Sequence, residues 1–203
     1  MRKVQFPSFS ILRLTKAASQ FLIPLLMLLI STISFAQVQH EGRPLSNGVS
    51  LTSTLTPRSM QQIDVPSLLN EDLVAAASKD IPFRFGYPFL VDYGINNSGT
   101  WDVLPNGRKI WRLAISSPGA ISINLIFDKF FMPAGASMYV YSADKKASIG
   151  AFTSENNSPD KSFSTSPVKG DRIIIEYNEP AIVATPPQLN ISVVVHAYRD
   201  IFQ

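Results

Sequence analysis

Residues 117–142 read SPGAISINLIFDKFFMPAGASMYVYS. Ile121, Ile123, Leu125 and Phe127 alternate with Ser122, Asn124 and, further on, Asp128, the period of two that puts successive side chains on opposite faces of a strand. A Pro133-Ala134-Gly135 corner leads into a second strand ending in Tyr139 and Tyr141. Upstream, TWDVLPNGRKIWRLAIS (100–116) reads as a hairpin. Asn106-Gly107 predicts a two-residue type I′ turn, and Trp101 and Trp111 flank it so that they face each other. Segments 146–154, 171–178 and 189–199 add further strands, separated by stretches rich in Pro, Asn and Gly. IPFRFGYPFLVDYG (81–94) is interrupted by Pro82, Gly86 and Pro88, which suits an edge or irregular strand. Ahead of it, PSLLNEDLVAAASKD (66–80) predicts the one helix, opened by Pro66 or Ser67, with Leu69, Leu73 and Ala76 or Ala77 as its stripe. Short strands at this spacing predict an all-β fold over 64–203: an antiparallel sandwich or jelly roll with one N-terminal helix. No internal repeat interrupts the pattern.

The N-terminus follows a different pattern. Arg2, Lys3, Arg13 and Lys16 precede the apolar run FLIPLLMLLI (21–30) and the small-residue ending Ser34-Phe35-Ala36. This order predicts a signal peptide over 1–36, cleaved before Gln37, and a secreted or periplasmic product. Pro24 and the polar residues after Ile30 leave the run short for a membrane span. Residues 37–63 are rich in Ser, Thr, Gln and Gly and read as a flexible arm, with little apolar area to offset the entropy of ordering.

Removing the leader changes the charge argument. It carries four of the 18 basic residues and none of the 15 acids, so the remaining 167 residues hold 14 against 15. A near-neutral domain without basic clusters excludes nucleic acid and an anionic membrane surface as partners. The absence of cysteine excludes thiol chemistry and cysteine-ligated metal.

Candidate chemistry is sparse, and the expectation is no catalytic residue, no cofactor and no metal. The two histidines are His40, in the arm, and His196, whose parity opposes Leu189, Ile191, Val193 and Val195 and predicts a strand histidine that is partly solvated or bonded to a neighbour. Ser142-Ala-Asp-Lys145 matches S-x-x-K but falls in a turn between strands. NNSPDKS (156–162) lacks the spaced acids of a calcium loop. N-x-S sequons begin at Asn96, Asn156 and Asn190. Arg112 and Asp171 are expected to be structural ion-pair partners. Trp101, Trp111, Tyr139 and Tyr141 form the candidate binding face, either a stacking platform for sugar rings or part of a packed core.

Taken together, Gly99-Thr100-Trp101, Trp111-Arg112-Leu113, Ser117-Pro118-Gly119-Ala120, Pro133-Ala134-Gly135-Ala136, Gly150-Ala151-Phe152, Pro167-Val168-Lys169-Gly170-Asp171 and Val195-His196-Ala197-Tyr198-Arg199 follow a recognisable order. From about Asp64 to Arg199 the chain resembles the N-terminal, non-catalytic pro-region of secreted bacterial lysyl endopeptidase-type serine protease precursors. The resemblance implies a domain that assists folding or latency of a trypsin-like protease domain, which in that family follows this region and carries the catalytic triad. This chain ends at Gln203 without such a domain, so it is expected not to be an enzyme, leaving a truncated gene product and a stand-alone relative both open. The alternative is a surface module that binds glycans or proteins through its aromatic face.

Overall fold

The structure is a computed structural model that describes residues 42–76 and 82–202. The signal peptide, the first residues of the arm with His40, and the end of the expected helix lie outside the described residues. Strands β1 (Arg58–Ser59), β2 (Gly86–Gly94), β3 (Thr100–Val103), β4 (Lys109–Ser116), β5 (Ser122–Phe131), β6 (Ser137–Ser142), β7 (Ser148–Phe152), β8 (Phe163–Ser164), β9 (Val168–Lys169), β10 (Arg172–Glu179) and β11 (Gln188–Ala197) follow one another with a single helix, α1 (Val65–Ala76). They form two sheets. One runs β1-β4-β10-β6-β7 with β3 also on β4; the other runs β2-β11-β5-β8 with β9 also on β5. All pairings are antiparallel except that of β1 with β4. This is the expected all-β sandwich.

The alternation seen in sequence becomes the core. Ile123, Leu125 and Phe127 of β5 meet Trp111, Leu113 and Ile115 of β4 and Ile173, Ile175 and Tyr177 of β10 in one buried cluster between the sheets. Phe163 of β8 packs against Phe130 with ring centroids 4.1 Å apart and edge-on to Phe152, closing the β5 side. Trp101 and Trp111 are direct register partners, as the hairpin spacing predicts. Their turn differs from the expected type. Asn106 stays at negative φ and Gly107 alone is left-handed, with φ +81°. The Gly107 amide donates to Leu104 O at 2.9 Å and the Leu104 amide to Arg108 O at 2.8 Å. Pro105, with its fixed φ, favours an ordinary type I turn with one left-handed residue after it.

β2 is the edge strand its prolines predict, with Pro88 opposite Val195. The helix begins at Val65, just ahead of the expected Pro66 or Ser67, and Asp64 before it accepts from the Ser67 amide through Oδ1 at 3.2 Å. Its expected apolar stripe is not what anchors it: Leu73 is exposed, and no residue of α1 is fully buried. Instead Asp72 accepts from Tyr198 Oη at 2.8 Å, Arg199 Nη2 at 3.0 Å and Arg84 Nε at 2.8 Å. A carboxylate clamp, rather than apolar burial, ties the helix to the end of β11 and the approach to β2.

Candidate functional site

Each strand of the first sheet turns one face to the core and the other outward, and the register places four expected site residues on opposite sides. Trp101, Trp111, Tyr177 and Met138 form one row across β3, β4, β10 and β6. That row faces the core, with Trp111 1% exposed, Trp101 at 39% and the Trp101 ring edge-on to Tyr177 at 6.1 Å. The next row, Thr100, Arg112, Glu176 and Tyr139, points outward. Tyr141 shares that outer side, packed with Tyr139, Ala151 and Ile174. The four aromatics therefore do not form one face, and only Trp101 presents appreciable ring area to solvent.

The outer face is unusual for its polarity under cover. Glu176 is 0% exposed, and Asp102, Asn178, Tyr139 and Tyr141 are buried. Residues 42–60, read from composition as a flexible arm, are what cover them. The Ser46 amide donates to Glu176 Oε1 at 3.1 Å, and Tyr141 Oη donates to Glu176 Oε2 at 3.0 Å. Asp102 Oδ1 accepts from the amides of Thr52 and Ser53, each at 3.0 Å, and from Thr52 Oγ1 at 3.1 Å; Ser53 Oγ donates to Oδ2. Arg112 Nη2 donates to Ser53 O at 3.1 Å and to Asp102 Oδ2 at 3.2 Å. Further along, β1 pairs with β4 and Met60 enters the core. The segment is held by hydrogen bonds to buried charges, which are stronger than neutral ones, so its shortage of apolar side chains is not decisive.

These contacts set the ionisation of the face. Burial pushes the Asp102 carboxyl up, but hydrogen bonds from the Ser53 side chain and the Ser53 and Thr52 amides outweigh it and hold the group at about 2. Burial, reinforced by Glu176 and opposed by the Ser46 contact, pushes the Tyr141 phenol up to about 12. Burial likewise raises Tyr139. Three polar atoms of this face find no partner among the described residues: Arg112 Nε and both side-chain amide atoms of Asn178. Arg112 thus pairs with Asp102 rather than with the expected Asp171, because Asp102 lies diagonally across the β3–β4 ladder while Asp171 sits beyond the end of β4.

His196 lies on the core side, not the outward side its parity predicts. A register shift in β11 between Ile191 and Val193 inserts an extra residue, so Val194 and His196 continue the inward row of Leu189 and Ile191. Its Nδ1 is 2.8 Å from Ser117 Oγ, both groups being buried. This is a Ser–His pair without an entrance, since no solvent reaches either side chain. Burial lowers the His196 pKa.

The S-x-x-K segment is a turn: Ser142 Oγ donates to Asp144 at 2.6 Å, and Lys145 Nζ donates to Asn47 at 2.8 Å. In NNSPDKS, Asp160 accepts from Ser158 and Ser162, which hold its carboxyl at about 2. Among the described residues no group of three or more His, Cys, Asp or Glu side chains is placed to hold a metal ion, and no helix is long and apolar enough to cross a membrane. No family model matches the chain, and no solved structure matches it.

Proposed function

We propose that this chain is a non-catalytic, secreted β-sandwich that assists the folding or latency of a trypsin-like serine protease domain, as its resemblance to lysyl endopeptidase pro-regions implies. The observation that carries this reading is the loop between β10 and β11. Ile182 in that loop is 88% exposed. Ala181 abuts the tip of the β3–β4 hairpin, where a Cβ on Gly107 would meet it at 3.2 Å. Val103 and Trp101 on the same hairpin are also exposed. The loop thus offers apolar side chains at one end of a rigid scaffold, where an adjoining domain gains most by burying them. Of the motif residues behind the resemblance, Trp111, Leu113, Phe152 and Val168 are buried framework.

The reading is tested by refolding a lysine-selective trypsin-like protease domain with and without this chain in trans. A higher yield of active or latent protease, lost on Ile182→Asp with Val103→Asp, is the expected result. No binding and no change in yield would overturn it.

A further inference from the structure

The covering of the outer face leads to a second, independent reading. The contacts that hold residues 46–53 use main chain and side chains together: three amides donate to Glu176 and Asp102, and one carbonyl accepts from Arg112. The side chains read from this segment are the hydroxyls of Ser46, Thr52 and Ser53 and the amide oxygen of Asn47, which accepts from Lys145 Nζ at 2.8 Å. A floor of carboxylates and one guanidinium therefore selects a backbone bearing Ser, Thr or Asn, with little demand on apolar side chains. The floor also has unused capacity. Asn178, 1% exposed, shares a row with Ile110 and Asp102, and both its amide atoms are unpartnered, as is Arg112 Nε. Clefts of about 280 Å³ and 270 Å³ flank the covering segment, one beside Tyr141 and Lys145, the other beside Thr100 and Ala114.

We propose that the outer face of the β3-β4-β10-β6 sheet is an acceptor groove for a hydroxyl-rich polypeptide segment with one tight turn at Leu45–Asn47, filled in cis by residues 44–53 and open in trans to the same segment of a second copy. Opening exposes Tyr139 and Tyr141 and returns Asp102, Arg112 and Glu176 to water while the core between the sheets stays closed, so it has a lower free energy than global unfolding. Exchange of one covalent segment for an identical one conserves every contact.

The test uses the full chain and a fluorescent peptide of residues 42–60 as probe. Ser46→Pro with Ser53→Pro removes two of the amide donors from the cis segment. The peptide is expected to saturate this variant with an affinity at least about tenfold above that for the unaltered chain, and Asp102→Asn in the variant background is expected to lower it by about tenfold. Absence of saturable binding by a variant that still melts cooperatively, or binding indifferent to Asp102→Asn, overturns the proposal. Native-state hydrogen exchange on the unaltered chain supplies a measurement that needs no variant. Amides of Ser46, Thr52 and Ser53 exchanging through an opening smaller than global unfolding support the groove; exchange only with the whole domain overturns it.

Discussion

Arg112 on β4 and Asp102 on β3 approach to 3.2 Å on the outer face of the sheet, and both close on Ser53, a residue from the segment that composition marks as disordered. The pair is largely withdrawn from water, with side chains 13% and 4% exposed. Its worth therefore lies less in mutual attraction than in the loss incurred when one member is removed.

Asp102→Ala leaves the Arg112 guanidinium buried beside a carbonyl and an unfilled site, and it frees the Thr52 and Ser53 amides. The expected loss is about 3 kcal/mol, the range for a broken buried pair. Urea denaturation reads it as a lower midpoint at unchanged slope. Asp102→Asn keeps the shape and one acceptor and is expected to lose less. Equal stability of Asp102→Ala and the unaltered chain would show that the segment and the pair are independent of the fold.

Acid should release the covering segment before it unfolds the core. Asp102 is held at about 2 against an ordinary 3.8. A carboxyl depressed on folding contributes stability that is complete above its unfolded value and is lost as pH falls through 3.8 towards the folded value. Amide resonances of Thr52 and Ser53 are expected to move towards disordered positions in that window, while those of β5 and β11 hold. Asp160 titrates in the same range, also at about 2, but bonds only within its own loop, so Asp160→Asn is expected to leave the transition in place.

His196 sets a second pH dependence, higher on the scale. Its side chain meets Ser117 Oγ and the edge of Phe89, with Tyr87 and Ile123 as register partners. Burial places its folded pKa below the ordinary 6.5. The unfolded chain therefore takes up a proton that the folded chain refuses, and stability falls as pH drops through 6.5 towards the lowered value. Thermal midpoints between about pH 7.5 and pH 5 are expected to fall for the unaltered chain and to flatten for His196→Gln. A slope that survives the substitution would assign the dependence to other groups.

The strands were legible because burial on one face imposes a period of two, and the Trp101–Trp111 pairing followed from counting back from the turn. What escaped had specific physical causes. One inserted residue in β11 reverses the facing of everything after it, so simple parity places His196, Val193 and Val195 on the wrong sides although Leu189 and Ile191 keep theirs. Nothing in a single sequence marks such a bulge. The covering segment escaped because composition measures apolar area, whereas its order comes from amides and hydroxyls on Asp102 and Glu176, far away in the chain. The available signal was the pattern itself: Arg112 and Glu176 each occupy an outward position between two core residues, Asp102 lies between Trp101 and Val103 on the neighbouring strand, and aligned charges on adjoining strands call for a cover. The four aromatics divide between two faces for a related reason. Register pairs Trp101 with Trp111 and Tyr139 with Glu176, so the tryptophans and tyrosines are separated by the sheet.

That separation makes the two tryptophans a test of packing against recognition. Trp111 fills the core, and its Nε1 donates to Ser98 O at 2.8 Å. Gly99, at φ +77°, lets the backbone pass beside it, since a Cβ there would meet Trp111 Nε1 at 2.7 Å. Trp111→Ala removes a fully buried indole and is expected to lower stability by about 4 kcal/mol. Trp101→Ala gives up the edge contact with Tyr177, a long hydrogen bond from Nε1 to Ile95 O at 3.4 Å and partial burial, so a loss of about 1 kcal/mol is expected. Equilibrium denaturation of the two variants measures the difference. If Trp101 serves an adjoining domain, its variant keeps its fold yet no longer improves protease refolding. If it serves a glycan, the same variant loses binding on a glycan array while refolding assistance is unchanged. Because Trp101→Ala leaves the core intact, either loss reports on the exposed ring itself.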